Sequence, residues 1–132
     1  MVANAEEGGP MWARAGDCRV TQVGSLLRKY RIDELPQIIN LFLGHLSVVG
    51  PRPIRRFFAD LLEARDPRYG LRFRVKPGLT GYAQIYAPYG STIEDQLSKL
   101  PYDLKYDHGL SMRDYLMLIA ETVRIVFIGK GI

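Results

Sequence analysis

The tetrapeptide Gly50-Pro51-Arg52-Pro53 divides this chain. A proline lacks the amide hydrogen that a helix interior or a central strand uses, and its ring fixes φ at about −65°. Two prolines behind a glycine therefore force the apolar runs on either side into separate elements. Upstream, Ile38, Ile39, Leu41, Phe42 and Leu43 form a compact apolar run. Pro36 is tolerable only in its first turn, and Gly44 is a natural stop. Asp33 and Glu34 then fall at or just before a helix N-terminus, where the positive end of the peptide dipole attracts anions. Downstream, Ile54 to Ala64 predicts a helix with Phe57, Phe58, Leu61 and Leu62 on its apolar side, ended by Asp66-Pro67. Arg52 between its prolines can present a guanidinium for bidentate phosphate contact with little further loss of backbone freedom. The plain alternative is that these prolines only end helices.

Elsewhere, Gly8-Gly9-Pro10 makes residues 1–10 a flexible leader to a single domain over residues 11–132. Val20, Val23, Leu26 and Leu27 follow helical spacing. Arg72 to Lys76 alternates basic and apolar, a strand pattern, with Tyr82 to Tyr86 as its partner across Pro77-Gly78-Leu79-Thr80-Gly81. Ser91 is placed to cap a helix through Ile93, Leu97 and Leu100, and Pro101 to start the next. Ser111 is placed to cap a last helix from Met112 to Phe127, ended by Gly129. The expected fold is mainly α with a short β-hairpin.

A formal charge of +4 and a pI of about 9.3 favour anionic partners. The excess is local: residues 51–76 hold eight basic groups against three acids. A nucleic-acid role is disfavoured because Phe57, Phe58 and Phe73 fall at core-like spacings rather than as a stacking series. One cysteine, Cys18, excludes an internal disulfide and fits a reducing compartment, while His45 and His108 are too scattered for a metal cluster. Met1 to Pro10 is polar and acidic, unlike a secretory leader. The longest apolar stretch, Tyr115 to Ile128, is interrupted by Glu121 and Arg124 and falls short of the roughly 20 residues of a spanning helix. Its apolar surface, with Arg113, Arg124 and Lys130 nearby, suits either a membrane interface or a core.

An ionised aspartate attacks phosphorus when cations neutralise the mutual repulsion. Arg28 and Arg31 lie five and two residues before Asp33. Spacing alone equally allows Asp33 to be an ordinary helix cap.

Taken in order, Leu26-Leu27-Arg28, Ile32-Asp33-Glu34-Leu35-Pro36-Gln37, Asn40, Gly44, Ser47-Val48-Val49-Gly50-Pro51-Arg52-Pro53, Val75-Lys76-Pro77-Gly78-Leu79-Thr80-Gly81 and Ala83-Gln84 resemble the bacterial sugar transferase family. These are the monotopic polyprenyl-phosphate phosphoglycosyl transferases. The resemblance runs from about Trp12 to Gly131. It implies a compact, membrane-associated helical catalytic domain at the cytoplasmic face of the bacterial inner membrane. It further implies transfer of a sugar 1-phosphate from a nucleotide-diphosphate sugar to polyprenyl phosphate, initiating surface-glycan assembly. Asp33 would be the nucleophile, Glu34 with Asp33 would hold Mg2+, and Arg28, Arg52 and Lys76 would meet phosphate. Gln84 and Asp103 are the further substrate or metal contacts that it implies; on the residues alone, Tyr102, Asp103 and Tyr106 read as a solvated helix face.

The chain departs from the family pattern at Gly44-His45-Leu46-Ser47, where the family commonly has an aspartate in place of His45, and at Tyr86-Ala87-Pro88-Tyr89-Gly90, which lacks a usual arginine. The family's N-terminal membrane hairpin and the basic segment after it are not present, so the chain is expected to begin inside the catalytic domain. These departures keep a second reading open, a catalytically silent membrane-associated binding module of the same fold.

Overall fold

The computed structural model describes residues 9–12, 17–30, 32–88 and 90–128. The leader up to residue 8, Arg31, Tyr89, and the expected stop at Gly129 with Lys130 lie outside the described residues. Helix α1 (Gln22–Lys29) is capped by Thr21, whose hydroxyl accepts from the Gly24 amide at 3.1 Å, and ends with Arg28 and Lys29, cations that complement its dipole. A 3-10 turn (Ile32–Glu34) leads to α2 (Gln37–Phe42), and Gly44, at φ 74°, reverses the chain in the left-handed region that disfavours other residues. Strand β1 (Ser47–Val49) follows, then α3 (Arg56–Arg65), a 3-10 helix (Pro67–Arg74) and β2 (Gly78–Thr80). The chain continues through α4 (Tyr82–Tyr86), α5 (Ile93–Leu97), α6 (Leu100–Asp103), a 3-10 helix (Leu104–His108) and α7 (Met112–Ile128).

The fold is mainly helical with one two-stranded sheet, as expected, but the strands are not the predicted ones. β1 and β2 pair in parallel, Ser47 opposite Gly78 and Val49 opposite Thr80, joined by a crossover through α3. The segment predicted as a first hairpin strand belongs to the 3-10 helix up to Arg74, because Asp66 caps it, accepting from the Arg68 amide at 3.0 Å, with Pro67 in its first turn. Its expected partner, Tyr82 to Tyr86, is helical; over five residues an apolar pattern does not distinguish the two periods. The connector expected at 47–53 contains β1. Thr92, not Ser91, caps α5, in a reciprocal capping box with Asp95. Ser111 caps α7 as expected, its hydroxyl accepting from the Asp114 amide at 3.1 Å.

Two packed clusters hold these elements. Val49, Tyr106 and Leu118 bind the strand pair to α7; Leu62, Tyr69 and Leu100 bind α3 to α6, with Trp12 stacked on Phe58 at 4.5 Å between ring centroids. Burial of a leucine as complete as that of Leu62 or Leu118 contributes about 1.5–3 kcal/mol. The Thr122 hydroxyl donates to the Leu118 carbonyl at 2.7 Å, so the Thr80 hydroxyl, 2.6 Å away, donates to Thr122 and ties β2 to α7.

Helix α7 carries two apolar stripes. Tyr115, Leu118, Ile119 and Thr122 face the core, whereas Leu116, Val123 and Phe127 are exposed. No residue of α1 or α2 is buried: Val23, Leu26, Ile39, Phe42 and Leu43 all face outward, with Phe42 87% exposed. Among the described residues no helix is long and apolar enough to cross a membrane.

Candidate active site

Residues 33 and 34 stand on the 3-10 turn between α1 and α2. Pro36 occupies the N-cap position of α2 without any side-chain capping bond, so Asp33 is not the cap of that helix. The six residues of α2 also start beyond the carboxylates, which makes side chains rather than a helix dipole the source of positive charge here. The Asp33 side chain is exposed and makes no hydrogen bond or ion pair among the described residues. Glu34 is more enclosed, and its Oε1 accepts from Arg52 Nη2 at 2.9 Å. The carboxylate pair and the proline-flanked arginine, 18 residues apart, thus meet in space. With Arg52 half-exposed, this pair contributes no more than about 1 kcal/mol to folding.

The loop that carries Arg52 is fixed by the segment containing β2. The Gly50 amide donates to the Thr80 carbonyl and the Gly78 amide to the Pro51 carbonyl, both at 2.8 Å. The two backbones are so close that a Cβ on Gly78 would lie 2.6 Å from both Gly50 Cα and the Val49 carbonyl carbon. The Tyr106 hydroxyl accepts from the Tyr82 amide at 2.8 Å, and burial pushes this phenol up to about 12.

Other expected site residues sit differently. Arg28 is half-buried in the last turn of α1, with no hydrogen bond or ion pair among the described residues; Arg31 lies outside them. Lys76 Nζ donates to the Gly44 carbonyl at 3.0 Å, at the opposite end of α2 from the carboxylates. Gln84 Nε2 donates to the Leu79 carbonyl at 2.8 Å and closes the turn after β2. Asp103 is 4% exposed, which replaces the expected solvated helix face with an interior position. Its Oδ2 lies 2.9 Å from Arg72 Nε, in an ion pair whose N–H is not aligned as a hydrogen bond. Burial raises the Asp103 carboxyl above the usual aspartate value, with Arg72 and Lys99 opposing.

Arg72 and Lys99 were not singled out from the sequence as site residues. Burial pushes the Lys99 ammonium down, with the Arg52 charge acting in the same direction and Asp95 and Asp103 opposing. A cleft of about 220 Å³ opens beside this group, lined by Pro51, Arg52, Pro53, Ile54, Arg72, Phe73, Val75 and Pro77. No cluster of three or more His, Cys, Asp or Glu able to hold a metal occurs among the described residues. Two adjacent carboxylates nevertheless match what Mg2+ takes from a protein when substrate phosphates and water complete its shell.

The sequence profile of the bacterial sugar transferases matches residues 1–129, nearly the whole chain. The chain belongs to the bacterial sugar transferase family. Among curated relatives, a UDP-N-acetylgalactosamine-undecaprenyl-phosphate N-acetylgalactosaminephosphotransferase of Aeromonas hydrophila is 38% identical over 131 residues, covering 99% of this chain and 31% of the relative. UDP-glucose:undecaprenyl-phosphate glucose-1-phosphate transferases of Caulobacter vibrioides and Klebsiella pneumoniae are 40% and 42% identical, over 91% and 90% of this chain and 46% and 26% of their own lengths. The chain therefore spans between about a quarter and a half of the length of these relatives.

Proposed function

We propose that the chain is the catalytic domain of a phosphoglycosyl transferase that moves a sugar 1-phosphate from a nucleotide-diphosphate sugar to polyprenyl phosphate. The observation that carries this reading is the exposed Asp33 carboxylate, with no hydrogen bond or ion pair among the described residues, beside a Glu34–Arg52 pair. In the first step Asp33 Oδ attacks the β-phosphorus. An aspartyl–phosphorus bond forms, the bond from that phosphorus to the bridging oxygen breaks, and nucleoside monophosphate leaves with the electron pair. In the second step a phosphate oxygen of polyprenyl phosphate attacks the same phosphorus, releases Asp33 as a carboxylate and gives polyprenyl diphosphate sugar. The product is the first lipid-linked intermediate of exopolysaccharide or another surface glycan.

Arg52, with Arg28 and Lys99 as further cations, would neutralise the diphosphate; Glu34 with Asp33 would hold Mg2+, which when bound screens that charge. The exposed apolar residues of α1 and α2 flank the carboxylates and suit contact with the membrane interface that presents the prenyl substrate, at the cytoplasmic face of the inner membrane. The test is nucleoside monophosphate release from a panel of UDP-sugars with undecaprenyl phosphate and Mg2+, using the full chain and Asp33→Asn. Turnover that Asp33→Asn lowers by about a thousandfold or more supports the assignment. An Asp33→Asn variant that retains turnover refutes the covalent route, and lipid association without any turnover supports the silent module.

A further inference from the structure

Arg72 is 6% exposed, an unusual position for an arginine, and its guanidinium is held by two hydrogen bonds and an ion pair. Nη1 donates to the Tyr69 hydroxyl at 2.9 Å, Nη2 donates to the backbone carbonyl of Arg52 at 2.8 Å, and Nε faces Asp103 Oδ2. The Tyr69 ring covers it at 4.9 Å. Replacing a buried ion pair by apolar side chains of similar volume is often neutral or stabilising, so stability alone is a weak reason for one to be here. What this pair does is hold one particular backbone oxygen.

That oxygen belongs to the residue between two prolines. With φ fixed at Pro51 and Pro53, the loop retains few soft torsions, and a bond to the Arg52 carbonyl orients the peptide plane between Arg52 and Pro53. The direction in which the Arg52 side chain leaves the backbone follows. We infer that Arg72, anchored by Asp103 and Tyr69, is a positioning residue that aims the Arg52 guanidinium at Glu34 and at the diphosphate of the nucleotide sugar. The role rests on the transferase reading above. It makes Arg72 part of the machinery without contact with substrate, and it gives Asp103 work one residue removed from the loop rather than at substrate or metal.

A double-mutant cycle on the full chain tests this, with Arg72→Lys, Arg52→Ala, both together and the unmutated protein. Lysine keeps the charge opposite Asp103 but cannot reach Tyr69, the Arg52 carbonyl and Asp103 at once. The readouts are KM and kcat for the nucleotide sugar, with thermal unfolding on each protein. Arg72→Lys is expected to raise KM about tenfold when Arg52 is intact and less than about twofold in the Arg52→Ala background, because a misaimed group that is absent has nothing left to lose. A merely structural role lowers the melting temperature and activity by the same factor in both backgrounds, and that result overturns the inference. Should Arg72→Lys fail to fold, Asp103→Asn, which loosens the Nε anchor at equal volume, enters the same cycle with the same two outcomes. Absence of turnover in the unmutated protein refutes the transferase reading and this role with it, whereas turnover with multiplying factors refutes the positioning role alone.

Discussion

Substituting Gly78 by alanine strikes the contact that joins the two motif loops. The added methyl would stand 2.6 Å from Gly50 Cα and from the Val49 carbonyl carbon, and neither backbone atom can yield as a flexible side chain would. The strands must separate. The hydrogen bonds from the Gly50 amide to the Thr80 carbonyl and from the Gly78 amide to the Pro51 carbonyl, both 2.8 Å, then lengthen or break, at a net cost of about 1 kcal/mol each. Overpacking adds about 1–3 kcal/mol, and the reduced freedom of the unfolded chain returns about 0.4–1 kcal/mol. The sum is a loss of about 2–5 kcal/mol. For a domain of this size that corresponds to a fall in Tm of about 7–18 °C, followed by circular dichroism on heating. Gly44→Ala is the contrast: nothing lies within 4 Å of its added Cβ, so only the φ of 74° resists, at about 1–2 kcal/mol. A Gly78→Ala protein that melts within about 3 °C of the unmutated one refutes the close approach of the two loops.

Arg52→Ala removes a half-exposed ion pair and should shift Tm by no more than about 5 °C, yet raise KM for the nucleotide sugar about 10- to 100-fold, the worth of a charge-assisted phosphate contact; steady-state kinetics beside thermal unfolding separate the two effects. Tyr106→Phe strands the Tyr82 amide and should cost about 1–2 kcal/mol in denaturant titration. Because the folded phenol is raised to about 12, it ionises first in the unfolded chain, so its contribution is complete below about pH 10 and is lost as pH rises toward 12; the Tyr106→Phe protein lacks that part of the alkaline decline. The hydrogen bonds from Thr92 hold the Asp95 carboxyl below 3.8, so its contribution is present above that pH and disappears as pH falls through the lowered folded value. The melting temperatures of the unmutated protein and Asp95→Asn should accordingly differ at about pH 5 and converge in more acid solution.

Helices were legible wherever a local signal bounded them. Gly44, Asp66-Pro67, Ser111 and the breakers near Pro101 act within a few residues of the chain they terminate, whereas the Thr21 cap of α1 was not singled out. The parallel pairing of β1 with β2 was not legible, since it depends on a crossover whose ends are about 30 residues apart and on strands of three residues. The meeting of Glu34 with Arg52 is equally nonlocal; only the order of the motifs hinted at it. Arg72 was concealed by its neighbours, for in a segment with eight basic residues composition cannot identify the one that folds inward. Its signal lay in Tyr69, three residues earlier and under its guanidinium, and in Asp103, an acid that faces the interior rather than solvent.

The bond between Arg52 and Glu34 gives one guanidinium two claimants. In the proposed transfer, a phosphate arriving at Arg52 would share it with, or take it from, an acid already in place, and the departing nucleotide would hand it back. In the proposed cycle Glu34 would thus keep the guanidinium paired before an anion arrives and after it leaves.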